Sequence, residues 1–334
     1  MRARTGLASI LGLILGAVPA GAEEINREFH QSFEAPEGTV LRIDHGDGNV
    51  EIESWEKAEI DVLVIYRGEL RTIGIGTNLG FQVNFSKLGN TVHVVGNESG
   101  GVTIGVRYKD IEEYVYRVRA PSYVVLELDG DDGDVAINDW KGDIELSSDD
   151  GNVFLSNITA ATTSLELEDG DVDIAKLSGN LFLTMDDGSA VILESNMNKA
   201  RLRSEDGDIT LKQCEGNFDV DLDDGDIRFI QVRVENGTLR TEDGDLDLNL
   251  LDRSGMDLDV QTEDGSVWID LEEGMSVEFL VQSDAGRLNL DLSEVADLRR
   301  DDHRVSGSIH RGKGKIRVRT DEGEITIREV SGAQ

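Results

Sequence analysis

TEDGDLDLNL, residues 241–250, decides the fold, because the chain writes the same sentence many times. SDDGNVFLSN (148–157), LEDGDVDIAK (167–176), SEDGDITLKQ (204–213) and TEDGSVWIDL (262–271) share its plan. Each has two acids, a glycine, a small polar residue, then apolar residues at alternate positions. Alternation of period two marks a strand with one buried and one solvated face. The motif glycines stand at 133, 151, 170, 188, 207, 225, 244, 265 and 286, in steps of 18 or 19 residues that lengthen to 21 at the end. A fixed period in this range marks stacked repeats rather than a meander, whose loops vary in length.

A second, weaker glycine signal divides the period. Gly142, Gly179 and Gly216 each lie nine residues past a main glycine. One coil is therefore two half-turns, each carrying a strand. Val172 and Ile174, Ile209 and Leu211, and Ile227 and Phe229 supply inward residues of the first. Ile144 and Leu146, Leu181 and Leu183, and Phe218 and Val220 supply those of the second. The corners suit Asp-Gly pairs, since glycine takes positive φ freely and Asx side chains bond nearby backbone. No stretch of the repeat keeps a 3.6-residue apolar period. The expected fold is all-β: a single-chain parallel β-solenoid, β-helix-like, with coils of about 18–21 residues.

Four segments follow from where the period holds. Residues 1–22 read as a secretory signal peptide: Arg2 and Arg4, an apolar run over 6–18, and the small-residue pattern Ala20-Gly21-Ala22. Residues 23–128 hold one early copy of the motif, HGDGNVEIESW (45–55), and strand-like runs at 60–66, 80–85, 91–95 and 114–118, expected to start and cap the stack. Residues 129–298 are the regular repeat. Residues 299–334 hold a basic insertion, expected as a short helix or loop, and a final coil, IRVRTDEGEITI. An exported protein is expected, periplasmic or at the cell surface, with no later segment apolar enough to span a bilayer. The one cysteine, Cys214, fills a slot held by Trp140 and Leu177 in other coils and reads as a buried apolar residue.

GNVEIESW (48–55), YRVRAPSYVVLEL (116–128) and the run of Gly-Asp strands resemble the bacterial "putative adhesin" repeat family. The resemblance covers nearly the whole chain after residue 22. It implies an exported protein of stacked short strands, and it brings no catalytic residues.

The formal charge is −36, and −38 once Arg2 and Arg4 leave with the signal peptide. Most of it belongs to the repeat, where residues 129–298 hold 44 acids and 11 bases, while 299–334 hold 6 acids and 9 bases. Nucleic acid is excluded as a partner of such a surface. Pairs of acids precede the glycine, as in Asp149-Asp150 and Glu242-Asp243, and a further acid often follows it: Asp134, Asp171, Asp208, Asp226, Asp245. Stacked at about 4.8 Å, neighbouring carboxylates repel by about 0.9 kcal/mol even in bulk water. Screening and turn hydrogen bonds are one offset. Calcium is a second, with Asp150, Asp169, Asp187, Asp206, Asp224, Asp243 and Asp264 as candidate ligands. The double glycine of the nine-residue calcium repeat is missing, and no cofactor is required. A basic partner is the third.

Arg299, Arg300, Arg304, Arg311, Lys313, Lys315, Arg317 and Arg319 either cap the last coil or reach a second copy and drive self-association. The five histidines are scattered, no paired cysteines exist, and no G-x-S-x-G elbow is present. His45-Gly46-Asp47-Gly48 reads as a turn. The expectation is a non-enzymatic binding scaffold of the envelope, adhesin-like, with a surface protein or polysaccharide as partner. The alternatives are a polysaccharide-acting β-helix enzyme and a purely structural rod.

Overall fold

The computed structural model describes residues 21–76, 80–99 and 103–331, so most of the expected signal peptide lies outside it. The described residues are all-β: 26 strands and no helix. The inward residues named from the sequence are buried, and they join one continuous apolar core.

Two columns of parallel strands form the middle of the molecule. One runs through residues 144–150, 163–169, 181–187, 200–206, 218–224, 237–243 and 257–264. The other runs through 135–138, 153–156, 172–175, 190–193, 209–212, 227–230 and 246–250. Partners differ by about one sequence period, so each coil lies on its neighbour in sequence. Between the columns the chain turns at a residue of positive φ: Asp139, Asn157, Lys176, Glu194, Gln213 and Gln231 in successive layers. The next residue points inward, and in these layers it is Trp140, Ile158, Leu177, Ser195, Cys214 and Val232. Cys214 is thus the buried apolar residue expected, and burial pushes its thiol pKa up.

The glycine corner needs more than free φ. Gly170 has φ +128°, whereas Gly207, Gly244 and Gly265 lie outside the left-handed region. At these three a Cβ would penetrate the carbonyl oxygen of Gly188, Gly225 and Gly244, the equivalent glycine one layer back. The row is glycine because the layers touch backbone to backbone there.

Both ends depart from sequence order. The chain builds the layer 257–272 and then the layer 277–291, but these do not touch along the stack. Strand Gly314–Glu322 lies between Asp257–Asp264 and Val277–Ser283, parallel to both. Strand Ile325–Val330 likewise lies between Val267–Glu272 and Leu288–Asp291. The glycine row confirms it, with Gly323 against Gly265 on one side and Gly286 on the other. The final coil is therefore the penultimate layer of the stack, entered out of sequence order. The basic insertion is neither helix nor loop. Strands Ala296–Arg300 and Arg304–Ile309 pair antiparallel, the second also closing on Val277–Ser283.

The N-terminal end repeats this device. Val40–Gly46 lies between Thr91–Ser99 and Val125–Gly130, and Asn49–Ser54 between Thr103–Ala120 and Val135–Asn138, parallel throughout. Beyond them Glu59–Gly76 pairs antiparallel with Thr103–Ala120 and with Gly21–Glu34, and Gly80–Leu88 pairs antiparallel with Thr91–Ser99. Tyr66 stacks on Phe81 at 4.2 Å, with Tyr114 edge-on to both, so the few aromatic residues of the chain concentrate at this end.

Candidate functional site

The acids at the glycine corner fall into two rows with different work. After seven of the glycines the next residue turns its side chain toward the neighbouring layer and accepts that layer's backbone N–H. Asp134 N donates to Asn49 Oδ1, Asn152 N to Asp134 Oδ1, Asp171 N to Asn152 Oδ1 and Ser189 N to Asp171 Oδ1, all at 2.9–3.0 Å. The ladder resumes with Asp226 N to Asp208 Oδ1, Asp245 N to Asp226 Oδ1 and Ser266 N to Asp245 Oδ1, at 2.8–2.9 Å. The sharp turn leaves these N–H groups no backbone acceptor, and an Asp or Asn oxygen replaces it. The side chain thus caps the turn of the following coil, not its own. The signal was in the sequence, since every residue in this ladder carries a side-chain acceptor.

The residues before the glycine behave otherwise. Asp150 faces Asp169, Asp187 faces Asp206, and Asp206, Asp224, Asp243, Asp264 and Glu322 follow in register. All seven sequence candidates are exposed, and one stands in each layer. Their main chains carry the ladder, as in Gly225 N to Asp243 O at 3.0 Å. Their side chains project into solvent. Among the described residues no three His, Cys, Asp or Glu side chains group closely enough to hold a metal ion.

Sequence inspection missed a second surface, the outward face of the column through 200–206, 218–224, 237–243, 257–264 and 315–322. Opposite charges alternate there from layer to layer. Arg201 meets Asp219 at 3.0 Å, Arg203 meets Asp221 at 3.6 Å, and Arg317 meets Asp257 at 2.6 Å. Arg253 spans layers to Glu215 and Glu235. An open groove of about 860 Å³ crosses this face, walled by Asn198, Asn217, Asn236, Asp259, Arg240 and Arg317 over buried Ala200 and Phe218. The amides ladder as well: Asn217 Nδ2 donates to Asn198 O at 2.8 Å and Asn236 Nδ2 to Asn217 Oδ1 at 2.7 Å. A smaller groove of about 310 Å³ continues past Arg240 to Asp221, Gln261 and Arg319. The bases of the C-terminal segment contribute here: Arg317 and Arg319 stand on an interior layer rather than over an end.

Asp61 and His45 are titratable side chains buried at the N-terminal end. Asp61 is buried, which raises its pKa, but bonds from Arg119, Ser32 and His30 outweigh this and hold it at about 2. These bonds pin Gly21–Glu34 onto its neighbours. His45 is fully buried, in the inward position three before the glycine. Its ring fills space that a side chain on Gly130 would occupy. Nδ1 bonds Gly48 O at 2.8 Å and Nε2 has no partner, so burial lowers its pKa. The bond Gly48 N to His45 O makes this segment the turn expected.

The Toastrack DUF4097 family model matches residues 39–328. The chain belongs to this family. No curated protein matches it. Solved structures do. A "putative adhesin" from Parabacteroides distasonis is 11% identical, with 91% of this chain and 97% of that one covered and a TM-score of 0.41. A "Putative lipid binding protein" from the same species is 12% identical, with 90% and 96% covered and a TM-score of 0.41. A "putative adhesin" from Bacteroides fragilis is 14% identical, with 91% and 97% covered and a TM-score of 0.33.

Proposed function

We propose that this Toastrack protein is an exported, non-enzymatic scaffold of the cell envelope, a β-solenoid that holds an envelope protein or polysaccharide on its outer face. The observation that carries this is the mixed-charge groove. A rigid stack repeats side chains at a fixed spacing along one direction, and here an open polar trough follows that direction over several layers. The side chains of His30, Asp61 and His310 are engaged in pairs that tie one segment to another.

Divalent cations gather weakly along the corner row from Asp150 to Asp264, one exposed carboxylate per layer, without a fixed ligand cage. Strand Ala296–Arg300, exposed and paired only with Arg304–Ile309 among the described residues, offers an edge for self-association.

The test is retention of the labelled mature chain on isolated envelopes. Saturable binding that unlabelled chain displaces is expected, and a purely structural rod would show none. Thermal unfolding separates the cation question. Calcium and magnesium should raise the midpoint equally, and more than sodium at the same ionic strength. A calcium-specific rise would mean an ordered site instead.

A further inference from the structure

The groove face carries a second regularity. Arg203, Asp221, Arg240, Gln261 and Arg319 stand in register on five successive layers. A guanidinium therefore recurs on every second layer, a spacing of about 9.6 Å at the inter-strand distance. Arg203 and Arg319 lean on carboxylates at 3.6 Å and 3.2 Å. Arg240, between them, is exposed, has no carboxylate within ion-pair distance among the described residues, and lines both grooves. Lys199, on the wall of the larger groove, likewise has no carboxylate partner among the described residues. In a chain of formal charge −36, two free cations facing a trough are not explained by the acids around them.

We propose that this face binds a linear acidic polysaccharide lying along the stack, one that carries a carboxylate on alternate sugars. This rests on the binding-scaffold function above and names its ligand. Two pyranose rings span a length of the same order as two layers. Each carboxylate of such a polymer then meets a guanidinium, in the planar two-bond geometry that arginine favours. The sugars between lie against Asn217, Asn236, Gln261 and Asp259, whose amides and carboxylate suit hydroxyl groups. A peptide fits less well. The backbone of this face is paired within the columns, so no strand can add to it. None of the exposed large apolar residues, Leu88, Tyr123, Phe154, Trp268 and Leu298, lines either groove. The acidity of the rest of the surface opposes a polyanion at long range, but salt screens that repulsion within about 8 Å under physiological conditions.

Titration of the mature chain with hyaluronan oligosaccharides, which carry a carboxylate on alternate sugars, tests this against neutral dextran and fully carboxylated oligogalacturonate. Hyaluronan is expected to bind at least tenfold more tightly than either. Arg240→Gln should weaken that binding at least tenfold and leave the melting temperature unchanged, because the side chain has no partner to lose. Lys199→Gln should weaken it less. Equal binding of dextran, or full binding by Arg240→Gln, would overturn the proposal, as would no binding of hyaluronan at all. Envelope retention measured in parallel keeps the two readings apart. Retention without hyaluronan binding sinks only the named ligand, whereas loss of both sinks the scaffold itself.

Discussion

The middle of this molecule and its two ends are built from the same layers but connected differently. From residue 125 to residue 272 each layer rests on its sequence neighbour. At each end a segment distant in sequence occupies an interior slot: 40–54 at one end and 314–330 at the other. A simple stack frays from its terminal repeats, because each contacts one neighbour only. At the C-terminal end the outermost layer, 277–291, continues at both its ends into layers held on two sides, so it has no free end from which to fray. Order in the middle is local, and closure at the ends is long-range.

The sharpest way to break the comparison is to remove a layer from each region. Ending the chain at residue 298 deletes the slot layer with Ile316, Val318, Ile325 and Ile327, all essentially buried. At about 1.5–3 kcal/mol per buried side chain, that loss rivals the about 5–15 kcal/mol by which whole domains are stable. No cooperative thermal unfolding is expected. Excising residues 171–188, one whole middle coil, should leave a shorter stack that still melts cooperatively, because Gly170 and Ser189 can resume the ladder. If both deletions unfold alike by circular dichroism, the ends are not special.

Smaller but still large is the effect of filling the glycine row. Gly244→Ala drives a methyl into the Gly225 carbonyl, a backbone atom that cannot step aside. About 3 kcal/mol of stability should be lost on denaturant titration. Gly255, with φ +85° and open space around it, should cost only about 1–2 kcal/mol on the same change, through backbone strain alone. Equal costs would mean that conformation, not contact, selects glycine.

This contrast shows what was legible beforehand. The period, the inward residues and the slot of Cys214 could be read because each repeat packs against its sequence neighbour, so one coil's pattern predicts the next. The position of Gly323 could not. Its motif matches every other corner, and nothing local states which two layers it enters. The same limit hid the mixed-charge face, because Arg203, Asp221 and Arg240 form a row only once register is fixed. The acids before and after each glycine are equally acidic in sequence, and only the direction of the side chain separates the ladder from the exposed row.

At the N-terminal end a buried group gives a test by pH. His45 titrates near 6.5 when unfolded, and burial lowers its pKa in the folded chain. The unfolded state therefore takes up a proton first as pH falls, and stability present above 6.5 declines below it. The bond to the Gly48 carbonyl and the charges of Asp129 and Asp131 favour the charged ring and limit the fall. His45→Leu should flatten the melting temperature between neutral pH and the onset of carboxylate titration. An unchanged slope would assign the dependence to another group.

The smallest predicted effect is the one that answers why the chain repeats carboxylates. Asp226 and Asp224 flank the same glycine, carry the same charge and are both accessible to solvent. Asp226 accepts the N–H of Asp245 at 2.9 Å, so Asp226→Ala should cost about 1 kcal/mol by removing that acceptor. Asp226→Asn keeps the oxygen and removes a charge, and should cost nothing. Asp224→Ala removes only a carboxylate held in register between Asp206 and Asp243. It should be neutral or slightly stabilising at low salt, where repulsion is least screened, and indistinguishable from the parent at high salt. A cost for Asp224→Ala equal to that of Asp226→Ala would mean that the exposed row also holds the stack together. A gain at low salt would mean that these carboxylates are kept against stability, which leaves their work outside the fold, at the surface they present.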